Sequence, residues 1–139
     1  MKKLFMIATV ALLAVACNKN QSAVKKLDGQ WNVTKMLITE DGKSIDIIGL
    51  GASSTMTFNA CKLKDNEYCD MSATTTFDGD TDVATGVFKV TEDGTKLVQA
   101  DSDTSSTTTT MDIIELTNSN ASLMYTEDGG TTEIDLVKM

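Results

Sequence analysis

The chain has no histidine, no arginine and no proline, and only one tryptophan, two tyrosines and four phenylalanines in 139 residues. Each shortage excludes something. Without histidine the side chain that most often moves protons near neutral pH is missing, and with it most hydrolase constellations and His-bearing metal sites. No Ser or Cys has a histidine to activate it, so the expectation is a protein that is not an enzyme and carries no cofactor. Without arginine, and at a formal net charge of −8, the chain lacks the clustered cations that neutralise phosphates, and nucleic acid is excluded as an expected partner. Long apolar runs are scarce too. None reaches the roughly 18 consecutive residues that a transmembrane helix needs.

What is present begins with an address. Met1-Lys2-Lys3 is a basic start, Leu4 to Ala16 is mostly apolar, and Ala14-Val15-Ala16 sets small side chains before Cys17, which together read as an export signal. Two cleavages fit. Ala14-x-Ala16 suits ordinary signal peptidase, giving a secreted or periplasmic soluble protein. Leu12-Leu13-Ala14-Val15-Ala16-Cys17 resembles a bacterial lipobox, in which the cysteine is lipidated and becomes the first residue. The cysteine count favours the second: lipidating Cys17 leaves Cys61 and Cys69 as an even pair, whereas simple secretion leaves an unpaired thiol in an oxidising compartment. The expected organisation is a lipoprotein signal peptide over 1–16, a lipidated cysteine and polar tether over 17–26, and one domain over 27–139. The place is the bacterial cell envelope, at the outer membrane, with membrane contact through the anchor alone.

Beyond the tether, strand-like runs alternate with turn residues, the rhythm of an antiparallel meander. The pattern predicts eight strands, over 30–39, 54–63, 68–77, 84–91, 95–101, 109–117, 121–126 and 131–138. Abundant threonine suits strands. Thr-Glu-Asp-Gly recurs at 39–42, 91–94 and 126–129, and Asp-Gly tolerates the positive φ angles of type I′ turns, so the second and third copies are expected to join neighbouring strands directly. Alternation sends Trp31 with Val33, Met56 with Phe58, Phe88 with Val90, Met111 with Ile113, Leu123 with Tyr125, and Ile134 with Leu136 to a buried face. Gly29 gives the first strand room to bend and lets another backbone approach, and Trp31 closes one end with the largest apolar side chain available.

Cys61 and Cys69 flank Lys64-Asp65-Asn66-Glu67, so a chain reversal there brings them face to face and predicts a disulfide. Their spacing suits neither a C-x-x-C redox site nor a zinc knuckle. Asp78-Gly79-Asp80-Thr81-Asp82 invites a calcium reading, but Val83 and Lys89 stand where an EF-hand needs Gly and Glu. It reads as a solvated acidic loop, and no metal is expected.

Gly29-Gln30-Trp31, Met56-Thr57-Phe58-Asn59 with Cys61 and Cys69, Ile113-Ile114-Glu115-Leu116-Thr117 and the closing Leu136-Val137-Lys138 together resemble the lipocalin-like lipoproteins of Bacteroidetes, within the wider calycin group. That resemblance implies an all-β, eight-stranded antiparallel up-and-down barrel, open at one end to a small hydrophobic molecule and closed at the other by Trp31. Met56, Phe58, Phe88, Leu123 and Tyr125 are the expected cavity lining. Lys43 to Ser53 is too apolar for an ordinary loop: Ile45, Ile47, Ile48 and Leu50 either form a lid that touches the ligand or fold onto the barrel as a turn that completes its core. Exposed, they form a partner-binding patch. The alternative function is a filled barrel acting as an envelope protein–protein interaction module, or as an inhibitor of secreted enzymes, with no small ligand.

Overall fold

The computed structural model describes residues 19–63 and 67–139. The expected signal peptide, Cys17 and the tip of the Cys61–Cys69 hairpin lie outside the described residues.

Among the described residues nine strands follow one helix: α1 (Lys19–Leu27), β1 (Gly29–Glu40), β2 (Lys43–Asp46), β3 (Ser53–Phe58), β4 (Cys69–Phe77), β5 (Asp80–Thr91), β6 (Lys96–Ala100), β7 (Thr108–Leu116), β8 (Asn120–Glu127) and β9 (Gly130–Lys138). All strand pairs are antiparallel. β1 and β3 to β9 pair in chain order, and β9 returns to β1 from Trp31↔Lys138 to Thr39↔Thr131. Eight strands therefore close into an up-and-down barrel, as the sequence led us to expect. The ninth, β2, was not anticipated. It pairs with the upper part of β1, Leu37↔Asp46 to Glu40↔Lys43, above the point where β3 takes over at Asn32↔Thr55.

The turns follow from aspartate and glycine chemistry. Asp41-Gly42, Asp78-Gly79 and Asp128-Gly129 all have positive φ at both residues, the conformation that matches the twist of two-residue hairpins. The first and third Thr-Glu-Asp-Gly copies thus make tight hairpins, whereas the second spans a longer turn, Glu92 to Thr95, between β5 and β6. Asp78-Gly79 is a hairpin turn too, and Asp80 and Asp82 belong to β5 rather than to a loop.

Two corrections concern the closed end. First, most of the expected polar tether is helix α1, whose Ala23, Val24 and Leu27 are buried. These positions, i, i+1 and i+4, form one face, and fully burying Val24 and Leu27 stabilises the docked helix by roughly 1.5–3 kcal/mol each. The helix is tied to two strand connections and to the end of β9 at one barrel end. Gln21 donates to the Cys61 carbonyl and accepts from the Leu63 N–H, both at 2.8 Å, Asn20 accepts from the Gly94 N–H at 2.7 Å, and Lys138 donates to the Lys26 carbonyl at 2.9 Å.

Second, Gly29 is required by its φ of +115° and not by a close approach, since a Cβ there would meet nothing nearer than Lys138 Cε at 3.9 Å. Trp31 does plug this end. It is fully buried, its indole N–H donates to the Leu27 carbonyl at 2.6 Å, and the Lys138 ammonium stands 4.9 Å from its ring centroid. Of the two forms expected for Lys43 to Ser53, the structure has, at Ile48, the turn folded onto the barrel rather than the hanging lid. After β2, the Asp46 carboxylate accepts from the N–H groups of Met36 and Ile48, and Ile48 packs against the core.

The Cys61–Cys69 disulfide is formed, with Cα atoms 5.4 Å apart.

Candidate functional site

Accessibility along the inner wall changes with height. In the lower half, Trp31, Phe58, Phe88, Leu97, Leu123 and Leu136 retain at most 1% of their surface. Water touches them neither from outside nor from an internal void. Phe58 and Phe88 meet edge to face, with ring centroids 5.1 Å apart, and Val33, Met56, Met71 and Met111 fill the level around them. Four of the five residues expected to line a cavity, Met56, Phe58, Phe88 and Leu123, are therefore the packing of a filled floor.

Above that floor the inward side chains become half-buried. Residues paired across an antiparallel ladder share a face, so the registers identify them. Met36 lies opposite Ile134, which lies opposite the buried Leu123. One level higher, Ile45, Ile38, Thr132 and Tyr125 form a continuous row across β2, β1, β9 and β8. Ile38, Tyr125 and Thr132 line a recess of about 380 Å³ with Glu40, Glu127 and the Asp128-Gly129 turn. On the opposite wall Ser54 and Thr75 share a hydrogen bond of 2.9 Å, and Phe77 is half exposed at the top of β4.

Two of these residues, Met36 and Ile38, are put on the inner wall by a β-bulge. The register of β1 slips between Val33 and Lys35, so odd positions face inward below Thr34 and even positions above it. Simple alternation would have sent Lys35 and Leu37 inside. The one available signal was Lys35, a charge where alternation expects an apolar residue. It lies outside instead, paired with Glu133 at 3.0 Å.

The mouth is acidic. Glu40, Asp41, Glu127 and Asp128 border the recess, and the β4–β5 hairpin adds Asp78, Asp80 and Asp82, all exposed. The Tyr125 hydroxyl donates to Glu127. That bond, followed by desolvation and by repulsion from Glu127 and Asp128, raises the Tyr125 pKa above the ordinary phenol value. Among the described residues no three carboxylates or cysteines are grouped to hold a metal ion.

Of the remaining residues singled out in the sequence, Ile45 is 54% exposed on the inner side of β2, Ile47 is half-buried, Ile48 packs inward and Leu50 is 65% exposed. Tyr125 alone of the expected cavity lining reaches the open recess.

The sequence matches no protein-family model and no curated protein. Among solved structures it is similar to a redesigned β-barrel, with a TM-score of 0.51 and 18% identity over 84% of this chain and 95% of that one. This likeness supports the barrel fold.

Proposed function

We propose that this is a lipid-anchored protein of the bacterial cell envelope, at the outer membrane, that binds an apolar group in the shallow cup at the open end of its barrel. The observation that carries the reading is the row Ile45-Ile38-Thr132-Tyr125 above Met36 and Ile134. These are inward-facing side chains with surface left to offer, over a floor with none. Apolar surface held half-covered at a concave site gains about 25 cal/mol per Å² when a ligand removes it from water. The acidic rim disfavours anionic amphiphiles, so the ligand is a neutral or cationic small hydrophobic molecule. The export signal and Cys17 supply the anchor. The role is binding and not catalysis.

The test is native mass spectrometry of the processed protein after exposure to a lipid extract of a Gram-negative envelope. A discrete added mass, lost in Ile38→Asp and in Tyr125→Asp, supports the cup. Substitution at Phe88, which lies in the floor, would instead report on folding. If no mass is retained by the folded protein, a second reading takes precedence, favoured by the exposure of Ile45 and Leu50. In that reading the rim is a contact surface for another envelope protein or a secreted enzyme, and crosslinking from Leu50 identifies it.

A further inference from the structure

Helix α1 buries one face and shows the other. Its exposed side chains are Lys19, Ser22, Lys25 and Lys26, with no acidic residue in the helix. The β3–β4 loop, held to α1 through Gln21, adds the exposed Lys62 between Cys61 and Leu63. Among the described residues the ion pairs are Lys35–Glu133 and Lys96–Asp112, so none of these four lysines is neutralised by a carboxylate.

Helix energetics alone do not account for the pattern. Lys25 and Lys26 sit in the last turn, where cations complement the helix dipole, but Lys19 opens the helix, where a cation opposes it. What the lysines share is the face of the helix turned away from the buried Ala23, Val24 and Leu27; Asp93 of the β5–β6 turn and Glu115 of β7 flank one side of it, in the same hollow as Lys19 and Lys26.

Cys17 lies two residues before Lys19, so a lipid attached there leaves the domain beside this basic face. At the far end of the barrel stands the acidic mouth. We propose that the outer face of α1, with Lys62, rests on an anionic lipid surface and stands the barrel upright, with its open cup turned away from the membrane. The inference rests on the lipoprotein reading. The anchor holds the domain at the bilayer, and the charge of the neighbouring face decides which side of the domain meets it. Each lysine near an anionic surface strengthens the contact by about fivefold, and the repelled mouth fixes the direction.

The test uses the full chain, expressed with its leader and recovered from membranes. Mass spectrometry of the N-terminal peptide first establishes whether Cys17 carries lipid. The lipoprotein is then reconstituted into vesicles of phosphatidylcholine alone or with phosphatidylglycerol, bearing a fluorophore either at Ser22→Cys, within the basic face, or at Asp78→Cys, on the rim. With a lipid-borne quencher, the Ser22 label is expected to be quenched several-fold more when phosphatidylglycerol is present. The Asp78 label should stay unquenched. Replacing Lys19, Lys25 and Lys26 together by Gln, all exposed positions, should remove the difference, as should raised salt. Equal quenching at the two positions, or a Ser22 signal indifferent to phosphatidylglycerol and to the lysines, overturns the proposal while leaving the anchor intact. If Cys17 carries no lipid, the anchor reading fails on its own. The face is then tested by co-sedimenting the same chain with phosphatidylglycerol vesicles. Partition that falls on the order of a hundredfold in the triple variant sustains it, and partition without dependence on phosphatidylglycerol or the lysines overturns it.

Discussion

The two ends of this barrel are made from the same strands yet obey different rules. At the closed end, Trp31, Leu27, Phe58 and Phe88 have no surface left, and a helix is fastened across the opening by side-chain hydrogen bonds from Asn20 and Gln21. At the open end the same strands carry Ile38, Thr132 and Tyr125 half in water and finish in acidic turns. An eight-stranded barrel has an interior just wide enough for side chains to fill, so a site is made by leaving the filling incomplete at one end. The buried core is concentrated at the closed end, and the surface proposed to bind lies at the other.

The largest expected effect tests that division directly. Trp31→Ala should cost about 3–5 kcal/mol in urea unfolding, since it removes a fully buried ring and leaves the Leu27 carbonyl without its donor. Ile38→Ala, at the cup, should cost less than about 1 kcal/mol. Comparable losses at the two sites would mean that the cup is part of the structural core and not a surface held in reserve.

Next comes the disulfide. Cys61 belongs to the loop that Gln21 ties to α1, so the crosslink braces the closed end. Converting both cysteines to serine should cost roughly 2–3 kcal/mol in the chain-entropy picture. The loss should appear as greater hydrogen exchange in α1 and the start of β4, with little change near Tyr125. Uniform loosening of both ends would instead show that the barrel responds as one unit.

These expectations also mark what was legible in the sequence. Eight strands and their inward residues were readable because the filled half uses large apolar side chains at period two, from Trp31 and Val33 to Ile134 and Leu136. The disulfide followed from a short reversal. Helix α1 was hidden because only Ala23, Val24 and Leu27 are apolar in a lysine-rich stretch, and their burial depends on a barrel end built by residues far along the chain. Strand β2 has a single apolar residue, Ile45, and exists by pairing with β1. Met56, Phe58, Phe88 and Leu123 were taken for cavity lining because period two does not tell a filled level from an open one, and Met36 and Ile38 went unnamed because a one-residue slip at Thr34 moves them to the inner wall, and register is a property of two strands, not of one.

A smaller effect returns to the closed end. Gly29 starts β1 with φ +115°, so Gly29→Ala should lower stability by about 1–2 kcal/mol through backbone strain alone, although the space for a methyl group is there. Chemical denaturation reads this directly. A neutral result would show that the entry to β1 relaxes to an ordinary conformation and that the plug tolerates it.

The smallest effect belongs to the open end and is read by light. Tyr125 donates to Glu127, and ionising the phenol would turn that donor into an anion facing Glu127 and Asp128, which is why its pKa is raised. A raised folded-state value means that the folded chain holds the proton more tightly. The stabilisation is therefore complete below the ordinary phenol value of about 10 and is lost as pH rises through the higher value in the fold. In a Tyr68→Phe background, the tyrosinate absorbance should rise at a midpoint above the ordinary one, and Glu127→Gln should bring that midpoint down. Occupancy of the cup should push it further up, because an apolar group over Ile38 and Thr132 excludes water from the neighbouring ring and desolvation disfavours the phenolate. A midpoint that ignores Glu127 would mean that the rim is not held in this arrangement, and the contrast between a fixed floor and an organised mouth would give way to one between a fixed floor and a loose one.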